Sequence, residues 1–172
     1  MRLFTAICFE DETKNALFSA EKELEKASSG KFSIRENLHL TLVFIGETEK
    51  EKAIEEAISR IDFPSFEYKI SGFGTFEKGI FWAGVEENKS LFELWAAIKN
   101  ELLSIGIETE EREFIPHITL AKKFRPEEKN DFSSAEKLLP KNPQKATRIS
   151  LMKSERIDDI LRYTEIFSKN LI

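Results

Sequence analysis

Apolar positions recur along this chain at two different periods, and the alternation between them cuts it into short segments. "RLFTAICF" (Arg2–Phe9) is apolar, aromatic and brief, which predicts a strand. In "DETKNALFSAEKELEKASSG", Ala16, Ala20, Leu24 and Ala27 fall at helical spacing, with Gly30 as the stop. "NLHLTLVFIG" (Asn37–Gly46) predicts a second strand. Thr48 with Glu51 three residues on has the form of a capping box. Ala53, Ile54, Ala57, Ile58 and Ile61 make the buried stripe of the helix that follows. "SFEYKISGFGTF" and "GIFWAGVEE" read as strands joined through an "EKG" turn. From Ser90 to about Ser104 runs a strong amphipathic helix, with Gly106 after its end. "EFIPHITLAKK" is the next strand; Pro116 has no N–H for a ladder, so this strand lies at an edge or begins there. Between Pro126 and Pro143 a polar stretch predicts a surface connection with one short helix. "ATRISLMKSERIDDILRYTEIFS" reads as a closing strand pair.

Two parts of this pattern match. Strand Arg2–Phe9, helix and strand Asn37–Gly46 form one series; strand Ile80–Val85, helix and strand Phe114–Ala121 form another. At an offset of 78 residues, Leu17, Ala20 and Leu24 fall on Trp95, Ile98 and Leu102. A duplicated strand–helix–strand unit is expected, with its two copies facing one another about a pseudo-twofold axis.

Composition narrows the class. A chain of 172 residues with 15 phenylalanines is long enough for a substantial core in one domain, or in one domain of two similar lobes. Its net charge of −5 argues against a protein that coats long nucleic acid, while leaving room for recognition of a few phosphates at a strand end. There is no uncharged run long enough to span a bilayer, and the N-terminal segment reads as a first strand rather than a signal peptide. Cys8 is the single cysteine, expected as a small buried apolar residue in a reducing cytoplasm.

The same offset joins the two histidines. His39 and His117 each open the tetrapeptide His-x-Thr-Leu. With nine threonines in 172 residues, two chance placements at +2 have a probability of roughly 0.3%. Strand alternation puts His39, Thr41 and Val43 on one face, and His117, Thr119 and Ala121 on one face of the second strand. Each strand thus offers an imidazole beside a hydroxyl and buries its other side. Histidine exchanges a proton near neutrality, so two of them can serve as base and acid. Two hydroxyls can donate to the oxygens of one anion. A phosphate between them fits in-line displacement, with charge on its oxygens stabilised by the hydroxyls and no metal required. Symmetry alone leaves open which histidine does which. Zinc is a poor rival, since two histidines supply two ligands and no carboxylate spacing supplies the rest. No Gly-x-Ser-x-Gly, P-loop or dinucleotide fingerprint is present.

With these motifs and their flanks, "ENLHLTLVFIGE", "GFGTFEKGIFWAGV" and "FIPHITLAKK", the chain resembles the 2H phosphoesterase superfamily, and within it the RNA 2′,3′-cyclic phosphodiesterases, also called 2′-5′ RNA ligases. The resemblance covers nearly the whole chain. It implies an α+β fold, a single bilobal domain over residues 1–172 with an antiparallel sheet in each lobe, helices outside and the active-site cleft between. It implies hydrolysis of 2′,3′-cyclic phosphates, on RNA ends or nucleosides, to 2′-phosphomonoesters without a cofactor; the alternatives are 2′-5′ RNA ligation by the reverse reaction and a non-catalytic protein that binds RNA ends or nucleotides. Carried over, His39 is the proton donor, His117 the proton acceptor, and Thr41 and Thr119 bind phosphate. Lys122 stands where the family often has arginine, keeping the charge without the bidentate fork. Phe32 stands where tryptophan is frequent. Lys123, Arg125 and Arg112 are candidates for a basic edge, and Phe76, Trp82 and Tyr163 for stacking a terminal base. A cytoplasmic monomer is expected.

Overall fold

The computed structural model describes residues 1–127 and 131–172. Among the described residues ten strands and four helices follow one another as β1 (Arg2–Cys8), α1 (Asp11–Glu25), β2 (Ser28–Phe32), β3 (His39–Glu47), α2 (Glu51–Ser59), β4 (Phe66–Tyr68), β5 (Ile70–Phe76), β6 (Ile80–Val85), α3 (Lys89–Ser104), β7 (His117–Pro126), α4 (Ser133–Glu136), β8 (Gln144–Ala146), β9 (Arg148–Ile157) and β10 (Ile160–Asn170). A 3-10 turn at Arg35–Asn37 precedes β3 and another, at Glu77–Gly79, links β5 to β6.

The strands form two four-stranded antiparallel sheets, ordered β10-β9-β1-β3 and β2-β7-β6-β5, and a small β4-β8 pair. The duplicated unit is visible in this order: β9-β1-β3 in one sheet matches β5-β6-β7 in the other. Its two helices are exchanged, because α1 lies against β2, β7 and α4 whereas α3 lies against β3 and α2. Leu17, Ala20 and Leu24 from α1 and Leu91, Leu94, Ile98 and Leu102 from α3 are buried in one cluster with residues of both sheets. Each leucine or isoleucine so enclosed contributes about 1.5–3 kcal/mol, so the exchange binds the two lobes together through their core.

Three predicted elements differ. The first helix ends at Glu25, and Gly30 belongs to β2, a strand the periodicity missed. β2 pairs with β7, and a Cβ at Gly30 would stand 3.1 Å from the Lys122 carbonyl oxygen, so a glycine permits that approach. The capping box does not form. α2 starts at Glu51 after Lys50, two residues too late for Thr48 to cap it, and the Thr48 hydroxyl accepts instead from the Lys50 N–H at 3.1 Å. The strand holding the second histidine starts at His117 and not at Glu113; it begins directly after Pro116, which is the second of the two placements that proline allowed, and it lies inside its sheet. The predicted connection from Pro126 to Pro143 holds the short helix α4; its residues 128–130 lie outside the described residues.

Candidate active site

Both histidines are the first residues of their strands, β3 and β7, which come together where the two sheets meet. Each strand is interrupted at the same place. On β1 and β3, Ala6 pairs with Thr41 and Thr5 with Val43, so Leu42 has no opposite residue. On β6 and β7, Trp82 pairs with Thr119 and Phe81 with Ala121, so Leu120 has none. The leucine shared by the two tetrapeptides is a β-bulge in both halves, and a bulge shifts the alternation of faces by one. Leu42 and Val43 are therefore both in the core, as are Leu120 and Ala121. The expectation that Val43 and Ala121 share the histidine faces is corrected. The next residues, Phe44 and Lys122, return to those faces. The Phe44 ring is 53% exposed and lies 5.7 Å from that of Phe4, which itself packs 4.9 Å from His39. Lys122 is exposed, and its charge reaches His39.

The imidazoles are held alike. Nδ1 of His39 is 2.6 Å from the Asn37 carbonyl oxygen, and Nδ1 of His117 is 2.7 Å from that of Ile115. A carbonyl only accepts, so each Nδ1 carries a proton and each Nε2 is the atom left to exchange one. His39 Nε2 lies 2.7 Å from Thr41 Oγ1, whose hydroxyl donates to it in the neutral state. His117 and Thr119 share no such bond, although the spacing is the same. The His39 ring is packed by Phe4 and by the edge of Tyr163, at 5.1 Å; burial pushes its pKa down to about 4, helped by the charges of His117, Lys14 and Lys122 and opposed by the Asn37 bond. His117 packs against Phe76 at 4.8 Å and Trp82 at 6.0 Å, and burial lowers its pKa as well, against the Ile115 bond. At pH 7 the free site therefore holds two neutral imidazoles.

Comparisons with known proteins give the family and the fold. The model of the 2′-5′ RNA ligase superfamily matches residues 14–158. The chain belongs to this superfamily. It is 37% identical over 137 residues to the RNA 2′,3′-cyclic phosphodiesterase of Thermotoga maritima, covering 74% of this chain and 73% of that protein. Among solved structures it is similar to E. coli LigT in apo form, with a TM-score of 0.84, 26% identity and coverage of 99% and 96% of the two chains. It is also similar to LigT complexed with 3′-AMP, with a TM-score of 0.82, 27% identity and coverage of 99% and 97%.

The other residues singled out in the sequence divide within the superfamily fold. Phe76 and Trp82 flank His117, and Tyr163 flanks His39. Trp82 lies close over Gly74, where a Cβ would stand 2.2 Å from the indole, and its buried N–H has no partner among the described residues. Arg112 is drawn to Glu110 and is not part of the constellation. Lys123 and Arg125 are exposed farther along β7, and Phe32 packs edge-on to Phe124. Cys8 sits beside His39 in the β1–β3 ladder, 3.7 Å from the Met152 sulfur, and burial raises its thiol pKa, so it stays protonated. Next to His39 opens a recess lined by Lys14, Asn37, Tyr163, Arg148 and Glu165, among others. Sequence reasoning missed Phe44. The signal was available only through its offset of 78 from Lys122, since strict alternation points Phe44 the other way.

Proposed function

We propose that this chain hydrolyses RNA 2′,3′-cyclic phosphate ends to 2′-phosphomonoesters by acid–base catalysis between His39 and His117, as one bilobal unit and without a metal ion. The observation that carries the reading is the pair of equivalently bulged strands, each presenting an imidazole with its Nε2 available beside a threonine hydroxyl. The Thermotoga maritima relative is an RNA 2′,3′-cyclic phosphodiesterase, which supports hydrolysis over end joining.

In this mechanism the phosphodiester lies between the histidines, where its charge raises both imidazole pKa values from their low free values. Thr41 turns from His39 Nε2 to a phosphoryl oxygen, and Thr119 and Lys122 bind the others. His117 Nε2 takes a proton from water as its oxygen attacks phosphorus. The bond from phosphorus to O3′ breaks, and protonated His39 gives its proton to that oxygen. One water is consumed, a 2′-phosphate and a 3′-hydroxyl are left, and solvent resets the two protons. Because attacking and leaving oxygens stand on opposite sides of phosphorus, the ribose lies on the His39 side. Phe44, exposed on that half of the site, is the aromatic that stacks the terminal base.

The test is an assay of the four nucleoside 2′,3′-cyclic phosphates and a cyclic-ended oligoribonucleotide, with and without EDTA. Turnover to the 2′-phosphate isomer, unaffected by EDTA, is expected. Loss on chelation, or a 3′-phosphate product, overturns the mechanism. Adding a 5′-hydroxyl RNA tests joining, read as a longer product. No helix among the described residues is long and apolar enough to cross a membrane; a cytoplasmic monomer is the matching proposal, checked by fractionation and by mass in solution.

A further inference from the structure

The residue two before the first histidine has a second attachment. The Asn37 side chain donates through Nδ2 to the Leu161 carbonyl oxygen at 2.7 Å, and its Oδ1 accepts from the Tyr163 N–H at 3.2 Å. These are the two backbone groups that a neighbouring strand would pair. The amide thus substitutes for a strand at the edge of β10, which curls across to the start of β3. The 3-10 turn carrying Asn37 is also pinned to α1, where Arg35 donates to Asn15 Oδ1 at 2.7 Å and to Asp11 Oδ1 at 3.0 Å. One residue therefore holds β10 with its side chain and the His39 ring with its main-chain carbonyl. The second half-site has no counterpart. The carbonyl that receives His117 belongs to Ile115, 42% exposed, whose apolar side chain can clamp nothing.

We propose that Asn37 is a positioning residue for the reaction, fixing His39 in the tautomer with its proton on Nδ1 and holding the edge of Tyr163 over the imidazole. The assignment rests on the proposed function for its effect on turnover, but not for its effect on the ring. With the amide bonded to β10, the Asn37 carbonyl cannot rotate away from His39 Nδ1, and Nε2 stays aimed at the leaving oxygen. The same bonds place Tyr163 at 5.1 Å, edge-on, as part of the cover that keeps water from the ring. Without them β10 is free to lift from β3, and the imidazole gains both solvent and rotational freedom.

The experiment compares the wild-type protein with Asn37→Ala and Asn37→Asp, the latter keeping the acceptor for Tyr163 N–H and losing the donor to Leu161. For a cyclic-ended oligoribonucleotide, kcat falls about 10- to 100-fold in Asn37→Ala, with KM changed less than about threefold. Nitrogen NMR of the two imidazoles is the decisive readout. His39 titrates at higher pH than its wild-type value of about 4, because uncovering the ring outweighs the weakened Asn37 bond. The other charged groups acting on it, His117, Lys14 and Lys122, are not substituted, and the His117 titration, coupled to that of His39 through their charges, moves less. Asn37→Asp also raises the His39 value, but its new carboxylate stabilises the imidazolium directly, so the uncharged Asn37→Ala decides the proposal. An unmoved His39 titration and tautomer in Asn37→Ala overturns the proposal, even if the melting temperature drops, since a merely structural role predicts that pattern. If the wild-type protein hydrolyses no cyclic phosphate, the proposed function fails, and the NMR titration still decides the role of Asn37.

Discussion

On β3, His39 is enclosed by Phe4 and Tyr163, shares Nε2 with Thr41 and is followed by Phe44; on β7, His117 stands against Phe76 and Trp82, has no bond to Thr119 and is followed by Lys122. The frame of the two strands is the same to the residue: histidine first, hydroxyl at +2, bulge at +3, and a side chain back on the site face at +5. The difference lies in what fills the +5 position and what surrounds the ring. An aromatic there suits a nucleobase, and a cation suits the phosphate. Under the proposed function, the duplicated frame carries two chemical roles. Symmetry fixes where groups can stand, and the neighbours of each imidazole set how readily it gives or takes a proton.

The largest effect tests the part the halves share. His39→Ala and His117→Ala are each expected to lower hydrolysis by about 10²–10⁴-fold, with the thermal transition unchanged. Near-wild-type turnover from either variant breaks the equivalence of the half-sites. Exchanging the +5 residues probes the part they do not share. Lys122→Ala should lower kcat by about 10²-fold by removing a charge aimed at the phosphoryl oxygens, and Lys122→Arg should retain activity. Phe44→Ala should mainly raise KM, by about 5- to 100-fold for a lost stacking platform, and more for purine than pyrimidine ends. If both variants act on the same kinetic constant, the division of labour is wrong.

A subtler effect concerns pH. The productive free form has one imidazole charged and the other neutral, and burial lowers both pKa values. The profile of kcat/KM should be bell-shaped, with one limb near 4 and the other below the ordinary histidine value of 6.5. The optimum for kcat should lie higher, since the bound anion raises both. A kcat/KM optimum above 7 contradicts the burial of the two rings. The smallest effect on activity comes from the helices. Lys99, at the α3 position matching Glu21, reaches over the Trp95 ring to the Glu110 carbonyl. Glu21 is fully buried on α1, neither carboxylate oxygen has a partner among the described residues, and burial pushes its pKa up to about 9. A carboxyl neutral in the fold costs nothing below its unfolded pKa of 4.5 and progressively more as pH rises to 9. At pH 7 the cost is about 3 kcal/mol. Glu21→Leu should therefore raise the melting temperature, more at pH 8 than at pH 5, and leave kcat/KM unchanged.

Much of the fold was legible because its signals are local. The stripes of α1 and α3, the apolar runs of β1, β3 and β6, and the matched spacing of the halves all follow from side-chain periodicity within one element. β2 was not legible, since "SSGKF" has no apolar alternation and becomes a strand only because β7 offers it an edge. The failed capping box has a similar cause. The two residue types are present at the right spacing, yet where α2 starts is decided by its packing on α3 rather than by Thr48.

By itself, then, the chain determined the α+β class, the duplication and the two imidazole–hydroxyl pairs, each a matter of residue type and short-range spacing. Tertiary structure decided the rest. The bulges at Leu42 and Leu120 arise from pairing with β1 and β6, and they turn Phe44 and Lys122 toward the histidines. The covering of His39 depends on Tyr163, 124 positions away in the chain, brought back by the bonds from β10 to Asn37. Faces, burial and proton affinity are properties of neighbours, and neighbours remote in the chain are supplied only when it folds.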